Sequence, residues 1–445
     1  MFGFDCCVPF SGKLFCNREC APYRSLNFLL YLILNYCYQY IFSYFYIVNC
    51  LWSIGYKWAL SCCLLLLAAS GTYAQTIDIY KEAFHIPAIE VDYPQVKGPI
   101  TTERVSGYAA SFDKSSFVQV ATALKTYKNE HQLSDWMYYQ VVRRTANYFY
   151  PKANNYEAYT LLKWYFMRAS DFDVRLAVIG DRLLFYVQSN EEIYDIPYFN
   201  YEGKNYVCLN RHDYKDVDFE HQQLYNVPLP VSTAARYAFS YKIDQLPDFT
   251  DDNFTNKQID FTFNNVQYQF DIKVNKSIDT LFVNYPVLDY DAYFNIPLSR
   301  NTYATLIPEL KEATKKMSQT QGVAYLMEFV RNAFRYENDI EATGKEQRFS
   351  PELTLINDKS DCDDRIALFY FLVKELYNLP MVVVRYPTHV MLAVKLDKVK
   401  GQTVSYNNQE YVICEPTPQA RNLKIGQVAD KYKNQPYEIA YAYHP

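Results

Sequence analysis

The hydrophobic pattern in the last third of the chain is helical at first and strand-like afterwards. Apolar residues three and four positions apart predict one helix, with Cys362 in its first turn and its end near Asn378. Ser360 or Asp361 is expected to cap this helix. Apolar runs bounded by turn residues then predict three strands. The predicted strands are residues 381–384, 389–396 and 411–414.

The middle of the chain alternates apolar and polar residues, a pattern typical of strands. Residues 259–263 and 266–274 flank Asn264 and Asn265, a dipeptide that favours a two-residue hairpin turn. We therefore expect a β-rich segment over residues 231–305.

The beginning of the chain predicts export. Residues 57–74 combine a lysine, an apolar run and a small-residue cleavage site, so the mature chain is expected to begin at Gln75 in a periplasmic or cell-envelope location. Residues 1–56 are interpreted as an upstream extension outside the native protein. The alternative is a membrane anchor formed by residues 25–56, which carry no charged side chain.

Composition excludes several classes of function. Of the 11 cysteines, eight lie in the first 63 residues, and the three that remain are too few for a disulfide scaffold. The net charge is −5, and the sequence contains no basic run, Gly-rich phosphate loop or zinc-type Cys/His spacing. We expect no nucleic-acid partner, no cofactor and no metal.

Three residues on the predicted elements form a candidate catalytic triad. Cys362 lies at a helix start, His389 at the head of a predicted strand, and Glu415 at the end of another. A catalytic thiol needs an imidazole to take its proton, and a helix N-terminus favours the resulting anion. The imidazole needs a partner on its other nitrogen, which a carboxylate provides. The neighbouring acids Asp361, Asp363 and Asp364 are more simply explained by helix capping and solvation than by metal binding, and their charge opposes thiolate formation if they point toward the sulfur.

These residues resemble the transglutaminase-like superfamily, especially its bacterial members. The resemblance covers about residues 321–419 and rests on Asp361-Cys362-Asp363-Asp364, on His389-Val-Met-Leu-Ala-Val and on a preceding helix over residues 324–336. It implies an α+β fold with a papain-like core, in which the cysteine helix packs on antiparallel strands. It also implies thioester-forming acyl transfer on a peptide, protein or amide-containing envelope substrate. The sequence departs from the family at Glu415-Pro-Thr, where Asp-Pro-Thr is usual.

An earlier part of the chain has a similar pattern of elements. A forward shift of 205 to 207 residues brings a helix and hairpins of this part onto those of the Cys362 region, so that Asn155, Arg182 and Asn210 fall on Cys362, His389 and Glu415. The hypothesis is a tandem in which the first domain lacks the nucleophile and the base. An unrelated α/β domain remains the alternative.

The expected domain organisation and function follow from these observations. The function first expected is an exported, thiol-dependent acyl-transfer enzyme acting by amide or peptide hydrolysis, and the alternative is an inactive binding or assembly protein of the cell envelope. Acetyl transfer is less favoured, because no cofactor-binding feature is recognisable. The expected segments are 1–56 (extension or membrane segment), 57–74 (signal peptide), 75–107 (N-terminal segment), 108–230 (degenerate transglutaminase-like domain), 231–305 (β-rich) and 306–445 (transglutaminase-like domain with the triad).

Overall fold

The described part of the computed structural model is a mixed α+β structure with ten α-helices and antiparallel sheets. The structure describes residues 73–89, 94–215, 217–219, 221–229, 236–337, 348–397 and 400–445. Residues 72–445 form one compact unit. The predicted extension and nearly all of the predicted signal peptide lie outside the described residues, and β1 (Tyr73–Ile79) contains the last two residues of that signal peptide. Within the described residues, no helix has the length and apolar character needed to cross a membrane.

The helices fall into an early and a late group. The early group is α1 (Thr102–Phe112), α2 (Phe117–Glu130), α3 (Asp135–Phe149) and α4 (Tyr156–Ala169). The late group is α5 (Ile278–Phe282), α6 (Tyr290–Phe294), α7 (Arg300–Thr314), α8 (Gln319–Asn332), α9 (Pro351–Ile356) and α10 (Cys362–Tyr377).

Most strands belong to two five-stranded sheets. The first sheet consists of β3 (Val174–Ile179), β4 (Arg182–Gln188), β5 (Tyr198–Tyr201), β6 (Lys204–Cys208) and β7 (Tyr225–Asn226). The second consists of β12 (Met381–Tyr386), β13 (His389–Val394), β14 (Thr403–Tyr406), β15 (Gln409–Cys414) and β16 (Glu438–Tyr443). The remaining strands are β2 (Glu82–Pro87), which pairs with β1, the hairpin of β8 (Phe254–Phe263) and β9 (Val266–Asn275), and the short pair β10 (Arg335–Tyr336) and β11 (Lys359–Ser360).

The two five-stranded sheets have the same strand order and matching registers. Their orders are β5-β6-β4-β3-β7 and β14-β15-β13-β12-β16. Val187 pairs with Val207 in the first sheet, and Val394 pairs with Val412 in the second. These pairs lie at corresponding positions, because Ile179 opposite Arg182 and Tyr386 opposite His389 each close the preceding hairpin.

One helix packs on the inner face of each sheet, α4 on the first and α10 on the second. The apolar residues of these inner faces, such as Phe185 and Leu392, belong to one continuous core that runs through both halves. The outer face of each sheet has a smaller core of its own. Both faces of each sheet are therefore buried, in agreement with the nearly unbroken apolar sequence of β13.

Several predictions about individual elements are confirmed. Helix α10 begins at Cys362, with Asp361 as its N-cap, and it ends before Asn378, whose φ of 48° is left-handed. The predicted hairpin forms with Asn264 and Asn265 at φ 51° and 63°, as a type I′ turn requires.

The predicted β-rich segment is β-structured mainly in its centre. In residues 231–305, long strands form only over the hairpin of residues 254–275 among the described residues. Helices α5, α6 and the beginning of α7 follow. In this part of the segment, the aromatic and polar residues that alternate along the sequence form short helices, in which tyrosine and phenylalanine side chains are buried.

Candidate active site

Cys362 occupies the first position of α10. Asp361 and Asp364 form a reciprocal capping box: the Asp361 side chain accepts from the Asp364 N–H at 3.1 Å, and the Asp364 carboxylate accepts from the Asp361 N–H at 3.2 Å. As at any helix start, the first N–H groups have no carbonyl four residues earlier to bind. The helix end therefore presents donors beside the thiol.

His389 and Glu415 are in direct contact. His389 begins β13 and Glu415 directly follows β15, which pairs with β13 through Leu392 and Cys414. The Nε2 atom of His389 lies 2.6 Å from Oε2 of Glu415, and both side chains are almost completely buried, at 5% and 0% exposure. The other Glu415 oxygen accepts from the Thr417 N–H at 2.9 Å. The Glu415 side chain, one methylene longer than an aspartate, therefore reaches the imidazole.

A buried arginine fixes the backbone at Glu415. Arg331 on α8 donates to the main-chain carbonyl of Glu415 and, at 2.6 Å, to the Glu328 side chain one turn earlier. In the first half, Arg143 on α3 likewise donates to Gln140, three residues earlier, at 2.9 Å. Each half thus has a helix, α3 or α8, on which an arginine donates to the side chain three residues earlier.

The contact with Glu415 assigns the roles of the two imidazole nitrogens. An ionised carboxylate can only accept hydrogen bonds, so Nε2 carries the proton and Nδ1 keeps a lone pair. Within the described residues, Nδ1 has no hydrogen-bond partner and Cys362 is not hydrogen-bonded to His389. The thiol lies beside the next residue, since the Val390 N–H acts on it as a donor. Contacts of this kind often tighten only when substrate binds.

The surroundings of Cys362 favour the neutral thiol. Burial raises its pKa well above the usual value, and the charges of Asp363, Asp361 and Glu415 raise it further. The Val390 N–H acts in the opposite direction. These surroundings therefore favour the protonated form of the Cys362 thiol.

The acids beside Cys362 have structural partners. Asp361, Cys362 and Asp363 could each offer a ligand atom within 4.8 Å of the others. Asp361, however, is bound in the capping box, and Asp363 accepts from the Tyr290 hydroxyl at 3.1 Å. The capping box agrees with the interpretation of Asp361 and Asp364 as capping residues, whereas Asp363 binds a tyrosine side chain of α6.

None of the three residues that the sequence comparison places opposite the triad is a thiol, a histidine or a carboxylate. Asn155 is the N-cap of α4, and Arg182 begins β4. Asn210 is fully buried, and its side chain binds the Tyr156 hydroxyl at 2.9 Å and the Leu183 carbonyl at 3.0 Å. An amide here joins the helix start to the sheet, and the same Tyr156 hydroxyl donates to Asp213 at 2.9 Å.

Sequence reasoning missed three neighbours of the site. Tyr432 stacks on the His389 ring, Arg331 holds the Glu415 backbone, and the Val390 N–H reaches the thiol. Only Arg331 left a signal, as a charged residue on the apolar side of a predicted helix. The resemblance to the transglutaminase-like superfamily also implies an oxyanion-stabilising side chain, and Gln347, a guess from the sequence for this role, lies outside the described residues.

Comparison with protein-family models, with curated proteins and with solved structures found no match to this chain.

Proposed function

We propose that the protein is a thiol-dependent acyl-transfer enzyme of the transglutaminase-like kind, with Cys362 as nucleophile, His389 as base and Glu415 orienting His389. The observation that carries the proposal is the 2.6 Å contact between His389 Nε2 and Glu415 Oε2, next to a helix that begins at Cys362. This contact leaves Nδ1 as the basic nitrogen. A buried acid, a histidine and a thiol at a helix start are the groups that acyl transfer requires.

The proposed reaction begins with proton transfer. Nδ1 of His389 takes the Cys362 proton as sulfur attacks the carbonyl carbon of an amide, and the developing oxyanion is stabilised by N–H groups at the start of α10. The tetrahedral intermediate collapses to a thioester as the imidazolium protonates the departing amine. Water, activated by the same nitrogen, then releases the acid, or a second amine takes the acyl group. The substrate class is a peptide, protein or other amide.

The raised pKa of Cys362 determines how the thiol is activated. A resting thiolate and imidazolium pair would need a depressed thiol pKa, whereas burial and Asp363 raise it. Deprotonation by His389 in concert with attack is consistent with a neutral resting pair. The same observation favours the second candidate, a binding or assembly protein on this fold in which Cys362 does not react.

We also propose that the first half is a degenerate version of the second. The matching strand order and registers support this proposal, as does the similar arginine contact on α3 and α8. Asn155, Arg182 and Asn210 occupy the positions of the triad there. The first half would then serve packing or substrate binding.

Alkylation with iodoacetamide tests the catalytic pair without a known substrate. The rate at Cys362 is followed by mass spectrometry of its peptide in the full chain, over pH 5 to 10, for the wild type and His389→Ala. The buried Cys208 and Cys414 serve as internal controls and should stay unmodified. Because the Cys362 pKa is raised, the dependence of the rate on His389 is the criterion, and a rate near neutral pH that drops about tenfold or more in His389→Ala supports the enzyme. A rate that is equal in both proteins supports the binding protein.

A further inference from the structure

An aromatic ring covers one face of the His389 imidazole. The Tyr432 ring lies 4.7 Å from the His389 ring, centroid to centroid, with 14° between the planes. Tyr432 is 5% exposed and belongs to the outer core of the second sheet, where it also contacts Tyr386. Packing therefore holds the tyrosine ring in place independently of the histidine.

This contact responds to the charge of His389. A neutral imidazole stacks on a phenol ring by dispersion, whereas an imidazolium is also attracted to the electron-rich face. In the proposed reaction His389 becomes positively charged when it takes the Cys362 proton. The interaction with Tyr432 is therefore stronger after proton transfer than before it, as a catalytic interaction has to be.

The first half contains a corresponding contact. Arg182 begins β4 as His389 begins β13, and its guanidinium carbon lies 5.9 Å from the centroid of the Tyr214 ring. Tyr214 is 7% exposed and belongs to the outer core of the first sheet. A permanent cation thus occupies the tyrosine face in one half, and a group that becomes a cation occupies it in the other.

We propose that Tyr432 is a positioning residue, whose ring face fixes the plane of His389 and stabilises its imidazolium form. The inference rests on the proposed function, because it assigns Tyr432 a role in the proton transfer from Cys362. Glu415 holds the edge of the imidazole and Tyr432 holds its face, so rotation about either axis is restricted.

Charged and titratable groups lie on several elements around His389, whereas Tyr432 contacts the imidazole through its ring face. The carboxylates favour the imidazolium, while the cations oppose it. Replacement of Tyr432 by a neutral residue leaves all of these charges in place. The charged and titratable groups are Glu415 after β15, Cys362, Asp361 and Asp363 at the start of α10, Tyr386 on β12, Arg331 on α8, and Lys431, whose ammonium lies 4.6 Å from the Tyr432 ring centroid.

The test compares Tyr432→Leu with Tyr432→Phe in the full chain. Histidine labelled with ¹³C at Cε1 is titrated by NMR, with the His389 signal assigned by its loss in His389→Ala. We expect Tyr432→Phe to titrate like the wild type and Tyr432→Leu to titrate about 0.5 to 1 pH unit lower. Tyr437→Leu is the matched control, because this exposed tyrosine contacts Tyr386. A His389 pKa unchanged in Tyr432→Leu would overturn the inference.

A surface variant keeps the test decisive if Tyr432→Leu does not fold. Lys431→Gln removes the cation that shares the Tyr432 ring, so the pKa of His389 should rise by a few tenths of a unit, on the order expected for a weak exposed cation–π contact. Lys433→Gln is the matched control, because Lys433 pairs with Asp430 at 2.6 Å. Equal pKa values of His389 in the two variants would contradict the role of the Tyr432 face.

Alkylation of Cys362 separates failure of this inference from failure of the proposed function. If Tyr432 acts through His389, Tyr432→Leu should slow alkylation about three- to tenfold near neutral pH and shift the inflection of the profile with the NMR titration. A wild-type rate that does not depend on His389 refutes the proposed function, whereas the NMR titrations still decide whether Tyr432 stabilises the imidazolium. A His389-dependent rate that Tyr432→Leu leaves unchanged refutes only the inference.

Discussion

Glu415→Asp is the most informative single change at the site, because structure and family pattern predict opposite results. The family usually has aspartate at this position, so the resemblance alone would expect a neutral or favourable change. In the structure, the glutamate carboxylate already lies 2.6 Å from His389 Nε2. Aspartate is shorter by one C–C bond, so its oxygen would stop at roughly 3.5 to 4 Å, beyond hydrogen-bonding distance. The main chain, held by Arg331, is not free to compensate.

Loss of this contact should slow proton transfer from Cys362. An imidazole without its acidic partner populates the wrong tautomer and orientation, and a misplacement of about 1 Å typically reduces the rate on the order of 100-fold. We therefore expect alkylation of Cys362 near pH 7 to fall about 10- to 100-fold in Glu415→Asp. Glu415→Gln, which keeps the length and can still accept a hydrogen bond, should lose less.

Glu410→Asp is the matched control for this experiment. Glu410 lies on β15, is exposed and binds Ser405, so the same shortening there should change the Cys362 rate by less than about twofold. Circular dichroism should show equal helix and sheet content in all variants. A Glu415→Asp protein that reacts as fast as the wild type, or faster, would refute the claim that the backbone is positioned for glutamate.

Three further predictions concern acidity, stability and the first half. Burial lowers the pKa of Lys163 to about 7, so the unfolded chain binds more protons than the folded chain between pH 7 and 10.5, and the free energy of unfolding should rise with pH in this range. Lys163→Met should remove this rise and add roughly 3 to 5 kcal/mol to the free energy of unfolding at pH 7, measured with urea. A pH dependence equal to that of the wild type would contradict the lowered pKa of Lys163. Asp363→Asn should lower the pKa of Cys362 and speed its alkylation about three- to tenfold, whereas Asp291→Asn, an exposed acid paired with Lys242, should not. Asn210→Ala should destabilise the fold by about 2 to 4 kcal/mol in urea unfolding, because three hydrogen bonds of its buried side chain are lost. The alkylation rate of Cys362 should not change. A slower rate would mean that the first half acts on the site.

The elements that the sequence predicted best are those with a strong local pattern. The helix at Cys362 has regular apolar spacing, a capping acid and a left-handed C-cap at Asn378, so each local preference agrees with the fold. The hairpin at Asn264 and Asn265 is specified in the same way by residues that accept a positive φ. Both predictions depend on neighbours within a few positions along the chain.

The parts that could not be predicted depend on residues far apart in sequence. Tyr432 lies in a segment without periodicity, and its place against His389 is fixed by the outer core of the sheet. Whether the Glu415 carboxylate reaches the His389 imidazole depends on the register in which β13 pairs with β15. The sequence offers candidate residue types, but the registers of strands decide which of them touch.

The two halves together provide an argument about why Glu415 is charged. At the corresponding position, Asn210 is also fully buried and joins strands and helix through a neutral amide, so this place in the fold does not require an acid. Burial of a carboxylate is more unfavourable than burial of an amide of similar size, unless the charge is paired. In the second half the charge is paired with His389, and the first half has the half-buried Arg182 at the position of that histidine. The Glu415 and His389 pair therefore adds a polar contact that a sheet of the same strand order forms without, as the proposed acyl-transfer chemistry would require.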